Sequence, residues 1–273
     1  MKIAIFDSGF GGLTVFGAIR RLLPSYDYVY LGDNARTPYG HRSFEVVYRF
    51  TAQAVRYLLA GDCALIVIAC NTASAKALRS IQQTLLPTLA PTRRVLGIIR
   101  PSVEALARDH DARTVALWGT AGTVQSESYA IELAKLAPKM RLVQMACPLL
   151  VPLVESGELS GAGLDYFLQK YWAQTVAEDP TVDSLLLACT HYPLLLPRIR
   201  AVVPEEVEIL SQGAIVAPSL ADYLLRHPEI EGRLSRGGQT TFLTTDHSED
   251  FDRLAELFLG HPVESAKIDL AES

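Results

Sequence analysis

The sequence predicts an α/β protein built from two related halves, each a mainly parallel sheet flanked by helices. Three observations point there. Short, continuous apolar runs alternate with longer amphipathic stretches, the pattern of parallel strands covered on both faces. The layout restarts near residue 113. Twice, a buried-looking run ends in Ala-Cys followed by a polar residue: LIVIACNTAS (65–74) and LLLACTHYPLLL (185–196).

KIAIFD (2–7) reads as the first strand. The glycine-rich SGFGG then leads into a helix through LTVFGAIRRLL that stops at Pro24. YDYVYLGD (26–33) is the second strand and NARTPYGHR a loop. A helix is expected over 43–61, with Ser43 as N-cap and Gly61 as C-cap. ALIVIAC (64–70) is the third strand, TASAKALRSIQQTLL the helix after it, and RVLGII (94–99) the fourth strand. RTVALWG (113–119) with its GTAGT turn then repeats the layout of the opening strand, and RLVQMAC (141–147) and SLLLACT (184–190) follow as strands. The interval from Cys70 to Cys189 is close to that between the two opening strands. TTFLTTDHSEDFDRLAELFLG reads as a strand and helix returning to the first half. The expected domains are therefore 1–98 plus 212–273, and 99–211.

The chain has 273 residues, 49% of them apolar, enough to bury two ordinary cores. Its net charge of −5 and lack of a basic run argue against nucleic acid as a partner. The N-terminal apolar run is too short for a secretory signal, and no uninterrupted apolar stretch could span a bilayer. A cytoplasmic protein with no membrane partner is expected. Cys63, Cys70, Cys147 and Cys189 do not form a disulfide framework, and no pair has C-x-x-C spacing.

Ligands of open parallel sheets bind beyond the carboxyl ends of the strands. Asp7, Cys70, Gly119–Thr120 and Cys189 all lie at such ends, so two facing domains would gather them around one pocket. A thiol ionises near pH 8.5 unless a helix N-terminus or a cation lowers that value. Asn71, Thr72, Ser74, Thr190 and His191 add donors beside the two cysteines. Asp7 can accept a proton or orient an amine, and Ser8 with GFGG offers free amides at a helix start. Two cysteines on opposite walls suit one reaction class. One thiolate takes a proton from a carbon beside a carboxylate, and the other thiol returns a proton to the opposite face.

The motifs IFDSGFGGLTV (5–15), YLGDNARTPYG (30–40), ACNTAS (69–74), LLVPLVESG (149–157) and ACTHYPLL (188–195) occur in the order seen in one family. With them, and with FLTTDHSEDF near the end, the chain resembles the glutamate racemases of the aspartate/glutamate racemase superfamily. The resemblance implies two α/β domains in pseudo-twofold relation with the site in the cleft between them. It implies interconversion of L- and D-glutamate, an isomerase reaction without cofactor or metal that supplies D-glutamate for peptidoglycan. It implies Cys70 and Cys189 as acid/base residues assisted by Asp7 and His191. Substrate contacts would come from Asp7, Ser8, Tyr39, Gly40, Asn71, Thr72, Thr190 and His191. Glu155 matches a family carboxylate near the site, and Thr120 is a further candidate. The partner would be the small-molecule substrate, and a homodimer is expected. The chain departs from the family pattern at Arg100, at Trp118 and at LSQGA (210–214), where Asp-Ser is expected; the first two lie at strand ends and could alter the pocket.

Other readings stand beside this one. Cys63 and Cys147 are expected to be small buried residues. Cys70, Cys189 and His191 offer only three soft ligands, and the Cys189/His191 spacing is unusual for structural zinc. No phosphate-binding loop of the GK[ST] type occurs. A two-domain clamp that binds an amino acid without turnover, or a racemase for aspartate, would use much of the same pattern.

Overall fold

The computed structural model describes residues 1–109 and 113–270. The strands run in chain order as β1 (Lys2–Asp7), β2 (Tyr28–Gly32), β3 (Cys63–Ile68), β4 (Arg94–Gly97), β5 (Thr114–Gly119), β6 (Arg141–Ala146), β7 (Ser184–Ala188), β8 (Glu208–Ser211), β9 (Thr240–Thr244) and β10 (Ser265–Lys267). They form two sheets, β10-β9-β2-β1-β3-β4 and β6-β5-β7-β8. Every pairing is parallel. The α/β, two-domain class expected from the sequence is borne out.

The two sheets share one order. In each, the first strand is flanked by the second on one side and the third on the other, with the fourth outermost. Thus β3, which precedes Cys70, is the counterpart of β7, which precedes Cys189. The order reverses beside β1 and beside β5, so both cysteines follow strands at a switch point, where crevices open in such sheets. β9 and β10 extend the first sheet at its β2 edge, so the last segment does return to the first half.

Alternation along each strand divides the core. Ile3, Ile5, Tyr28, Tyr30, Leu65 and Val67 face a cluster built around Phe16, Phe242 and Phe251. Ala4, Phe6, Val29, Leu31, Ile66 and Ile68 face Val47, Val55 and Leu58 of the helix Phe44–Ala60. The second sheet splits likewise, Ala116 and Trp118 to one side and Val115 and Leu117 to the other. Burial on both faces explains why these strands read as unbroken apolar runs.

Several expected elements need correction. The strand over 64–70 ends at Ile68, and that over 184–190 ends at Ala188. Both cysteines therefore sit in the turns beyond the strands. The helix over 72–86 breaks at Ala77 and includes a wider turn over Ile81–Leu85, where Gln82 donates to the Val95 carbonyl at 2.7 Å. Ser43 caps its helix as expected, accepting from the Val46 N–H. Gly61 ends that helix, but the left-handed residue is Asp62, at φ 65°. β8 and β10 escaped notice because each is short and partly exposed. The helices Leu150–Glu155 and Ala162–Glu178 were likewise not foreseen. Among the described residues, no helix is long and apolar enough to cross a membrane.

Candidate active site

Cys70 is the N-cap of the helix Asn71–Lys76. Its backbone is extended there, and its sulfur accepts the Ala73 N–H at 3.4 Å. The Ser8 hydroxyl, from the turn after β1, lies 3.3 Å from the same sulfur. Beside Ser8, Asp7 is fully buried; its carboxylate accepts the Gly9 N–H at 2.9 Å and the Thr190 hydroxyl at 3.3 Å. The Thr190 bond joins the two halves directly.

Cys189 lies in the matching turn after β7. His191 Nδ1 is 3.9 Å from its sulfur, and His191 Nε2 is 3.0 Å from Glu155 Oε1. The start of the helix Gly12–Leu22 abuts this turn, with the Thr14 hydroxyl donating to the Thr190 carbonyl at 3.0 Å. Each sulfur thus has a polar side chain within reach and a carboxylate further back: Ser8 and Asp7 on one side, His191 and Glu155 on the other.

Between the two turns lies a cavity of about 150 Å³. Its walls include both cysteines, Ser8, Tyr39, Gly40, Asn71, Thr72, Thr120, Thr190 and His191. Asp7 and Glu155 do not line it; they reach it through Thr190 and His191. Thr120 caps the helix Ala121–Gln125, and its hydroxyl is 2.9 Å from that of Thr72, another bond between the halves. Thr37, Pro38, His41, Ala121, Pro148, Val151 and Pro152 complete the wall. Sequence reasoning missed these, and most carry no reactive group that would have marked them. Neither Arg100 nor Trp118 shapes this cavity. Trp118 is buried in the core of the second half, on the same side of the sheet as Cys189 but outside the cavity wall, and its Nε1 donates to Thr175 Oγ1 at 3.0 Å. Arg100 pairs with Glu104 and Glu132 at the surface.

The loop over the cavity is held firmly. The Tyr39 hydroxyl donates to buried Asp33, which also takes the Arg36 guanidinium and the Thr245 hydroxyl. Tyr39 therefore offers the cavity its ring and backbone, its hydroxyl being committed. From the other half, the Gly122 N–H donates to the Gly40 carbonyl at 2.6 Å. A Cβ at Gly122 would come within 2.6 Å of that carbonyl oxygen and 2.9 Å of Lys76 Nζ. Gly122→Ala is expected to lift the loop and raise KM by about tenfold, equivalent to about 1.4 kcal/mol of binding. Steady-state kinetics check this, and an unchanged KM contradicts it.

Burial, then the Asp7 carboxylate, pushes the Cys70 thiol up from 9.0 to about 12, against the pull of the Ser8 and Ala73 hydrogen bonds. Burial also raises Asp7, while the charge of His191 opposes it. For His191, burial favours the neutral ring, but the hydrogen bonds and charges of Cys189 and Glu155 outweigh it and lift the imidazole from 6.5 to about 10. Both Cys70 and His191 thus keep protons that the unfolded chain would release. Stability from His191 is intact below pH 6.5 and is lost as the pH rises through 10, and Cys70 adds a further loss between pH 9.0 and 12. The melting temperature is expected to fall between pH 6.5 and 10, and to fall less steeply in His191→Gln. An equally steep fall in the variant contradicts this assignment.

The family model for Asp/Glu/hydantoin racemases matches residues 14–219. A glutamate racemase of Jannaschia sp. is 37% identical over 269 residues, covering 95% of this chain and 96% of the relative. The chain belongs to the glutamate racemases of that family. Solved members of the family match nearly end to end. The Bacillus anthracis glutamate racemase isoform RacE1 superposes with a TM-score of 0.89 at 34% identity, covering 98% of this chain and 97% of its own. The Francisella tularensis glutamate racemase, solved in complex with D-glutamate, gives 0.88 at 28% identity, covering 100% and 98%. The chain is thus an amino-acid racemase, an isomerase acting on a small molecule. Among the described residues, no three His, Cys, Asp or Glu side chains group as a metal site.

Proposed function

We propose that this racemase interconverts L- and D-glutamate by proton transfer at the α-carbon between Cys70 and Cys189. The observation that carries the reading is the pair of thiols at equivalent strand ends, in the walls of one small cavity. Its full-length relatives are glutamate racemases, one of them solved with D-glutamate bound, which supports glutamate as the substrate.

In the proposed step, one cysteine thiolate takes the α-hydrogen as a proton. The electron pair stays on the α-carbon and spreads into the adjacent carboxylate. The opposite thiol then gives its proton to the other face and becomes the thiolate. The two roles exchange in the reverse direction, and the thiols supply both proton steps without a cofactor. Burial favours the protonated form of Cys70, which readies it as a donor. The substrate ammonium group is the natural counter-charge when Cys70 must act as base. Asp7 assists on the Cys70 side from behind the cavity wall, its negative charge lying beside Ser8 and its carboxylate orienting Thr190. His191, backed by Glu155, assists Cys189. Ser8, the loop at Tyr39–Gly40, and Asn71, Thr72 and Thr190 hold the carboxylates and aim the α-hydrogen. Thr120 adds a hydroxyl through Thr72.

The same reading takes residues 1–98 with 212–273 as one domain and 99–211 as the other, a division supported by strand membership. It also holds that the protein is a cytoplasmic homodimer and that its D-glutamate enters peptidoglycan. Purified protein incubated with L-glutamate is expected to reach an equal mixture of enantiomers by chiral chromatography. L-Aspartate, one methylene shorter, is expected to react about 10- to 200-fold more slowly. Faster turnover of aspartate would move the substrate assignment.

A further inference from the structure

We infer that Gln212 is a positioning residue for the racemase: from the point where the chain returns to the first half, it fixes the side-chain amide of Asn71 in the cavity wall beside Cys70. This deepens the two-thiol reading and rests on Cys70 being one of the acid/base groups.

Gln212 follows β8 directly and opens the helix Gln212–Arg226. It is buried, as are Asn71, Ser102 and Tyr129, and the four side chains form one network. Asn71 Nδ2 donates to Gln212 Oε1 at 2.6 Å. Gln212 Nε2 lies 3.2 Å from Asn71 Oδ1, 3.0 Å from Ser102 Oγ and 2.8 Å from Tyr129 Oη. The Tyr129 hydroxyl donates to Asn71 Oδ1 at 2.7 Å, and the Ser102 hydroxyl donates to the Ile98 carbonyl at 2.7 Å.

These bonds leave one consistent arrangement of protons. The hydrogen of Ser102 is committed to Ile98, so its oxygen can only accept from Gln212. That fixes Nε2 as the amide end facing Ser102 and Tyr129, and Oε1 as the acceptor for Asn71. Asn71 must then present Nδ2 to Gln212 and Oδ1 to Tyr129. A buried network satisfied in only one way specifies one geometry. Nδ2 has a second N–H with no protein partner among the described residues, and Asn71 lines the cavity next to Cys70. Gln212 also links both crossings between the halves: Ile98 and Ser102 lie where the chain leaves the first half, and Gln212 where it returns. A shift of one half against the other therefore reaches Asn71 through this amide.

The test compares Gln212→Ala, Gln212→Glu and Tyr129→Phe with wild type and with Cys70→Ser. Racemisation has an equilibrium constant of one, so kcat/KM must fall equally in both directions. Gln212→Ala is expected to lose about 10- to 100-fold in kcat/KM, mainly in kcat, as for a small misplacement of reacting groups. Gln212→Glu keeps the acceptor for Asn71 but has a donor only when protonated. Its activity relative to wild type is expected to rise as the pH falls from 9 to 6. Tyr129→Phe should show a smaller loss that does not add to that of Gln212→Ala. Melting curves establish that each variant is folded, and either remaining variant decides the matter if Gln212→Ala is not. Gln212 variants within about twofold of wild type in kcat/KM, a pH-independent ratio for Gln212→Glu, or additive losses would each overturn the inference. If Cys70→Ser keeps its turnover, it is the two-thiol reading that fails; if Cys70→Ser is inactive and the Gln212 variants are unaffected, only the role of Gln212 falls.

Discussion

Replacing either Cys70 or Cys189 by serine is expected to lower racemisation by about 10³-fold or more in both directions. Every turnover needs one group to take the α-proton and a second to return a proton to the opposite face. A serine hydroxyl holds its proton far too tightly to serve as the base, and general acid–base groups typically contribute about 10²–10⁴-fold. Serine is nearly the same shape as cysteine, and the hydrogen bonds from Ser8 and Ala73 to Cys70 can pass to its oxygen, so both variants should fold and still bind glutamate. The two variants should also differ from each other. With one thiol left, the enzyme can remove an α-proton from one enantiomer and return a solvent deuteron to the same face. Cys70→Ser and Cys189→Ser are therefore expected to exchange opposite enantiomers without inverting them, as read by proton NMR in D2O. Near-wild-type turnover in either variant would remove the two-base assignment.

Gly11→Ala is expected to cost about 100-fold in kcat/KM although Gly11 carries no reactive group. A Cβ there would lie 2.3 Å from Thr190 Oγ1 and 2.4 Å from His191 Nδ1. Both side chains are buried, and His191 is also tied to Glu155, so neither can yield freely. The methyl group must push His191 from Cys189, or Thr190 from Asp7, and each shift disturbs one side of the site. Overpacking of this kind also costs about 1–3 kcal/mol of stability. Kinetics with a parallel melt separate the two effects. A variant with normal kcat/KM would mean that the turn after β7 tolerates displacement, and that the geometry around His191 matters little.

The fold was legible because both sheets are covered on both faces, so their central strands are unbroken apolar runs. Cys70 and Cys189 were legible because each breaks such a run at the same point of a repeated layout. What the sequence left hidden depends on contacts between the halves. Gln212 looked like a departure from the family pattern and proved to be the centre of a buried network. Gly11 and Gly122 read as ordinary turn glycines; only packing reveals that Gly11 meets Thr190 and His191, and Gly122 the Gly40 carbonyl, without room for a methyl group. Trp118 was expected near the pocket because it lies at a strand end, but its ring is taken up by the core beneath the cavity wall, against Tyr171 and Thr175. Its neighbour Gly119 ends that strand, and Thr120 just beyond it is the residue that reaches the cavity.

The most direct test of proton transfer between two thiols is the isotope content of the first product formed. L-Glutamate is incubated in D2O with chelator present, and both enantiomers are recovered within the first few per cent of reaction. If one cysteine removes the proton and the other, already exchanged with solvent, delivers a deuteron, the new D-glutamate carries α-deuterium while the recovered L-glutamate keeps its α-hydrogen. D-Glutamate that retains the original α-hydrogen would show a single group carrying the proton across both faces, and would contradict the account.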